Sequence, residues 1–499
     1  MIMRKTSIVI LLVGIVLGGF GFLYYSTNNV RILKVELKSP DNSALKEDIH
    51  ISLSTPSSLK IEYWKKGDPV KYSSPVTNKK VDHVVHLLLL EPNTTYEYRI
   101  VIDNWINKST DIFSFETREA SSWMVHEWIK EDKPHDKTAL GDGLVMLCYR
   151  GYPGYIAMVD GEGTVRWYWQ AEKLGVRLAT ITPRNTILAL LAPARKDEFK
   201  KVKNNDKPDV ASYYLRTGRI GFVGGTEIAE IDLEGNVLWQ TNLEEKEIVF
   251  HHDLRMTEDS RIMSIYRDYK LYDLPDTQSE LDTLWGDGVM IMDTLGNVTD
   301  KWSAWNVWDI ASDERIKEYS GDRFHFNSVA LDAEGDYLLS TPIENQIWKV
   351  DSHTGEIVWK LGKGGDFEMD SSAYFHFQHA AHINKDGDLM LFDNGDFSPN
   401  DTSKVNKLSR SLSFKLDTIN MKAELQMETV LPKEYYTSRM GSTFLMPNEH
   451  ILQTISKTGV TVISDQNGKV LWTLNSHFIP YKAEYVPSTV WNQYFKIEN

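Results

Sequence analysis

Fourteen histidines occur in this 499-residue chain, and three short runs place them where chemistry is possible. The runs are Phe250-His251-His252-Asp253, Phe324-His325-Phe326-Asn327-Ser328 and Phe377-Gln378-His379. A fourth, Ser438-Arg439-Met440-Gly441-Ser442, has the same surroundings without a histidine. Each is followed by a turn signal: Glu258-Asp259, Glu334-Gly335, Asp386-Gly387 and Pro447-Asn448. Imidazole changes charge near neutral pH, so it can act as base, acid, nucleophile or metal ligand. A metal site usually adds carboxylates, and only Asp253 stands close to a histidine of these runs, so no metal site is expected. Which of His251 and His252 would serve is left open by the sequence.

The elements that would position these runs are marked by tryptophan. A unit of apolar residues, Asp, a turn Gly and Trp recurs as Asp160…Gly163…Trp167, Asp232…Gly235…Trp239, Asp351…Gly355…Trp359 and Asp465…Gly468…Trp472. A looser copy runs from Asp293 and Gly296 to Trp302, and a degenerate one through Phe414-Lys-Leu-Asp417. Asp and Gly make a tight turn and the returning strand buries its Trp, so each copy reads as a hairpin. The spacing suits four-stranded propeller blades. Six copies imply six blades over residues 123–499, with the ring closed by strands from both ends of the chain. Equivalent inner-strand starts converge on the axial channel, bringing His252, His325 with Asn327, and His379 around one cavity.

Ahead of the propeller, residues 30–118 alternate as short strands. Leu90-Glu-Pro-Asn-Thr-Thr-Tyr96 is similar to the tyrosine corner of Ig/fibronectin-III-like β-sandwiches, in which the tyrosine bonds back to the chain. Residues 1–29 hold an uncharged apolar stretch after Arg4-Lys5, read as a single transmembrane helix, with a cleaved signal segment as the alternative. Either reading exports the rest of the chain, to the periplasm or outside the cell, with the anchored form single-pass in the cell membrane. The expected fold is therefore all-β: a six-bladed propeller preceded by a sandwich and an anchor.

Composition sets limits. Lys+Arg total 55 against Asp+Glu 70, a formal net charge of -15, which argues against nucleic-acid binding. Cys148 is the single cysteine, so an internal disulfide, a thiolate zinc cluster and a CxxC redox pair are excluded.

Taken in order, the motifs resemble the bacterial arylsulfate sulfotransferases. They are His251-His-Asp253, His325-Phe-Asn-Ser328, Gln346 through Gly362, Gln378-His379, Leu391-Phe-Asp-Asn-Gly395 and Ser438-Arg-Met-Gly-Ser442. The resemblance implies a six-bladed propeller that moves a sulfuryl group from an aryl sulfate ester to a phenolic acceptor by ping-pong transfer, without a cofactor. It implies His379 as the nucleophile, His252 and His325 as catalytic supports, and Asn327 and Arg439 as substrate-binding residues. A homo-oligomer is possible. Two departures accompany it. Ser340-Thr341-Pro342 stands where the family carries Ser-Ser-Arg, and Ala380 follows His379 where Asp is usual. Arg439 and Arg267 are candidates for the missing positive charge. The competing readings are a propeller that binds an anionic aromatic ligand or a protein partner without turnover, a hydrolase passing sulfuryl to water, and a quinoprotein dehydrogenase.

Overall fold

The computed structural model describes residues 30–40, 43, 45–103, 108–120, 129–130, 132–151, 153–193, 224–275, 281–319, 321–395 and 407–498. The anchor expected over residues 1–29 lies outside them. Among the described residues, no helix is long and apolar enough to cross a membrane. The chain divides into two units, Met1–Met124 with Thr489–Asn499, and Val125–Ser488.

The larger unit is a six-bladed β-propeller. Five antiparallel sheets have four strands and one has five. Blade 2 starts at its inner strand Leu174–Ile181, blade 3 at Phe250–Met256, blade 4 at Ser328–Leu331, blade 5 at His379–Ile383 and blade 6 at Ser442–Leu445. In blade 3 the two-residue strand Gly224–Gly225 adds to the inner edge. Blade 1 mixes the chain ends: its inner strand Ala483–Val486 pairs with Leu144–Tyr149. This pairing closes the ring and removes a free sheet edge.

The tryptophan turns take the expected form. Gly163, Gly235, Gly296, Gly355 and Gly468 lie at φ between 76 and 88°, in the left-handed region where a Cβ is strained. The Asp carboxylate bonds the backbone two and four residues on, as Asp160 Oδ1 does with the N–H groups of Glu162 and Thr164. The Trp does more than fill a core. Trp167 Nε1 donates to Leu233 O, Trp302 Nε1 to Gly355 O and Trp472 Nε1 to Gly161 O, each at 2.8 Å. An outer strand is thus stapled to the turn of the next blade, including the last to the first. The blade of the degenerate copy, with outer strand Lys422–Val430, lacks this Trp.

The smaller unit is a network of eight strands organised by the long strand Glu47–Lys65. Its first half pairs with Ile32–Lys38 and Lys80–Leu87, its second with Lys71–Ser73 and Thr95–Asp103. The register shifts between Ser52 and Ser57, where Pro56 has no N–H to give the ladder. Tyr96 hydroxyl accepts from Glu91 N–H at 3.0 Å, the back-bond expected of the tyrosine. One boundary differs from expectation: Lys496–Glu498 pairs with Lys71–Ser73, so the final residues belong to this unit and not to the propeller. Tyr72 and Phe495 pack edge to face at 5.6 Å and hold the terminal strand there.

Candidate active site

The inner strands of the blades bring His252, His325 and His379 together, as their register requires. The His252 and His325 ring centres are 4.8 Å apart. Tyr481, just before the closing strand of blade 1, meets His252 at 5.7 Å and His379 at 6.4 Å, both edge to face. Its hydroxyl reaches Asn327 O at 3.4 Å, spanning the axis from blade 1 to blade 4. Tyr481 therefore floors the site, and burial holds its phenol protonated, well above the ordinary tyrosine range.

The backbone at this point is unusual. His252, His325, Phe377, Ala380 and Met440 all have φ between 53 and 62°. A non-glycine residue there is strained, and such strain persists only where surrounding structure holds it. The ladder is interrupted as well, with irregular register between His251 and Leu254 and between His379 and His382. These bulges turn the side chains away from the sheet and toward the axis.

His379 is fixed in one neutral form. Its Nδ1 lies 3.0 Å from Phe377 O and 2.8 Å from Asn394 Oδ1, so Nδ1 carries the proton. Its Nε2 accepts from Met440 N–H at 3.1 Å, so Nε2 carries the lone pair. Both assignments rest on backbone groups whose donor or acceptor role is unambiguous. Asn394 is oriented in turn by donating through Nδ2 to Thr437 O and Met440 O. Burial pushes the His379 pKa down to about 4. His252 is also driven well below the usual histidine value, by burial and then by its neighbours His251 and His325.

His325 is pushed the other way. Burial opposes its charge, but Asp322 Oδ2 lies 2.5 Å from its Nδ1 and outweighs that, so its pKa is raised. Its Nε2 has no hydrogen-bond partner among the described residues. Asp322 and Asp287 are both gripped by Arg267, and Asp287 Oδ1 also lies 3.2 Å from His251 Nε2. His251, which packs edge to face on His252, is thus tied to His325 through Asp287, Arg267 and Asp322; the first half of that chain is buried, while Asp322 and His325 are half-buried. Arg267 is consumed by these carboxylates and is no candidate for the missing cation.

The other expected residues are placed less directly. Asn327 Nδ2 donates to Gln378 O at 2.8 Å, while its buried Oδ1 has no partner among the described residues. Arg439 is exposed, and its described hydrogen bond is through its carbonyl, from Thr437 Oγ1. Pro342 is buried after Thr341, whose hydroxyl donates to Phe324 O. Further along the inner strands, Asp253 pairs with Lys482 at 3.0 Å and with Arg255 at 3.3 Å. The enclosed space between that ionic layer and Tyr481 is about 10 Å³, room for one water at most. The Asp-rich turn of blade 4 is neutralised by Lys349, whose Nζ meets Asp332 at 2.5 Å and Asp336 at 3.2 Å.

Comparison with known proteins decides the family. The arylsulfotransferase (ASST) family model matches residues 130–467. The chain belongs to that family. The match covers all three histidine runs and five of the six repeated hairpin turns in full. No curated protein matches the chain. Among solved structures, a protein of unknown function from Bacteroides caccae aligns at TM-score 0.42 and 11% identity, over 70% of this chain and 100% of that one. A virginiamycin B lyase from Staphylococcus aureus aligns at TM-score 0.32 and 9% identity, over 65% and 86%.

Proposed function

We propose that this arylsulfotransferase-family propeller transfers a sulfuryl group from an aryl sulfate ester to a phenol through a sulfohistidine at His379. The observation that carries this reading is the locked tautomer of His379, with Nδ1–H held from behind and the Nε2 lone pair aimed away from it. A neutral, oriented imidazole is the form that can attack. In the first step Nε2 forms a bond to sulfur and the aryl C–O–S linkage breaks at the S–O bond. The Met440 N–H gives up the lone pair as attack begins and is then placed to donate to a sulfuryl oxygen. The departing phenolate takes the proton that Asp322 keeps on His325. In the second step a phenol attacks the sulfohistidine, its proton returns to His325, and His379 leaves as neutral imidazole. The opposed shifts of His379 and His325 suit each to its role: the nucleophile is kept neutral, and the acid is favoured in its charged form.

The assay is release of 4-nitrophenol from 4-nitrophenyl sulfate in the presence of a phenol. His379→Asn is expected to lower the rate at least about 10³-fold, as loss of a nucleophile does. Release unaffected by that substitution excludes His379 as the nucleophile. A second reading, binding of an anionic aromatic ligand without transfer, is favoured by Pro342, and it is upheld if the native chain binds the ester without releasing nitrophenol.

The smaller unit is read as an Ig/fibronectin-III-like sandwich acting as a spacer, and residues 1–29 as a membrane anchor that leaves both units outside the cytoplasm. The back-bonded Tyr96 supports the first, and the uncharged stretch after Arg4-Lys5 the second.

A further inference from the structure

An aryl sulfate brings negative charge to a site whose family arginine is Pro342, in a chain of net charge -15. The charge to meet it is found in blades that carry no histidine. Arg177 lies on the inner strand of blade 2, Leu174–Ile181, where the register is irregular between Val176 and Leu178. Blades 3 and 5 carry His252 and His379 at corresponding irregularities. Arg177 Nη1 donates to Arg150 O at 3.0 Å and its Nε to Gly224 O at 3.2 Å. Among the described residues no carboxylate pairs with Arg177. Arg150 follows the blade 1 strand Leu144–Tyr149, and its Cζ lies 5.8 Å from the centre of the Tyr481 ring. That is the ring against which His252 and His379 pack.

Burial pulls both guanidinium pKa values down to about 10, and for Arg150 the adjacent charge of Arg177 adds to it. Two cations sharing a poorly solvated corner repel each other, and a bound anion relieves the repulsion. Guanidinium is also the side chain whose donors match a tetrahedral oxyanion.

We propose that Arg150 and Arg177 form the anion pole of the site, binding the sulfuryl oxygens of the donor beside Tyr481 in place of the arginine lost at Pro342. This rests on the sulfuryl-transfer reading and names the residues that hold its substrate. It gives the chain a cation from blades 1 and 2, opposite the blades that carry the nucleophile and the acid.

The test is calorimetric titration of inorganic sulfate, 4-nitrophenyl sulfate and 4-nitrophenol into the full chain carrying His379→Asn, which blocks turnover. Arg177→Gln or Arg150→Gln added to it is expected to weaken both sulfates about tenfold or more, the worth of a charge-assisted hydrogen bond. Affinity for 4-nitrophenol, titrated at a pH below its own pKa so that it is uncharged, stays constant, and Arg177→Lys recovers part of the loss, which a merely structural role would not do. With His379 restored, Arg177→Gln raises donor KM more than it lowers kcat. Unchanged affinity for both sulfates in circular-dichroism-verified variants overturns the proposal, as does a parent that binds neither. Native chain that binds the ester through Arg177 but never transfers it overturns the transfer reading and leaves the anion pole standing. Transfer with donor KM unmoved by Arg177→Gln does the reverse.

Discussion

Asp322 raises the pKa of His325, and under the proposed transfer that shift sets the alkaline limit of activity. An imidazole raised above its ordinary value keeps its proton to higher pH than a free one and loses it as pH rises through the raised pKa. Activity should therefore fall on the alkaline side above the usual histidine range. On the acid side the limit comes only near His379's pKa of about 4. Asp322→Asn removes the charge that holds the proton, so the alkaline limb should move down by about one unit or more. A pH–rate profile checks this, and an unmoved limb would remove His325 from the role of acid. Asn394 acts one bond further out. Asn394→Ala frees the Nδ1 face of His379, and kcat is expected to fall about 10-fold or more with donor KM little changed, since orientation and not binding is lost. Of these residues, His252, His325 and His379 were legible in the sequence because they recur at one position of a repeat. Asp322 and Asp287 were not, because Arg267 reaches them across 55 and 20 residues of chain. Tyr481, Arg150 and Arg177 were missed for another reason. They occupy blades 1 and 2, whose runs hold no histidine to mark them.

At the scale of elements, the inner strands aim the site by breaking their own ladders, while the outer strands hold the blades together. The tryptophan repeat was readable because a tight turn and a buried return strand are local chemistry. That Trp167, Trp302 and Trp472 also bond the following blade was not readable, since it depends on the packing of one hairpin against another. Trp472→Ala removes a fully buried ring and the bond from blade 6 to blade 1. The expected loss is about 3–5 kcal/mol, the usual cost of truncating a buried aromatic. Thermal unfolding followed by circular dichroism reads it, and a midpoint shifted by less than a degree or two would mean the staple carries little. The strained residues at the axis stand outside any propensity argument. Nothing in the composition of His252, His325 or Met440 asks for a left-handed backbone; the convergence of the blades imposes it.

For the whole molecule, closure of the ring joins function to fold. The closing strand Ala483–Val486 follows directly from Tyr481 and Lys482, so the residue that floors the site is positioned by the pairing that completes blade 1. Deleting residues 483–499 should leave an open ring that fails to bind aryl sulfate and unfolds without a cooperative transition, as judged by calorimetry. A truncated chain with native binding would separate closure from function. The propeller, its six blades and its closure were legible in the sequence. The return of Lys496–Glu498 to the smaller unit was not, because a three-residue edge strand carries no pattern of its own.

Passage of the sulfuryl group through His379 can be seen in a single turnover. The full chain is mixed with 4-nitrophenyl sulfate in the absence of any phenol acceptor, quenched, digested and analysed by mass spectrometry. A sulfohistidine at His379 gives a burst of one nitrophenolate per protein, a sulfuryl mass on the His379 peptide alone, and loss of that mass when phenol is added. Nitrophenolate released with the sulfuryl group on another residue, or on none, would contradict it.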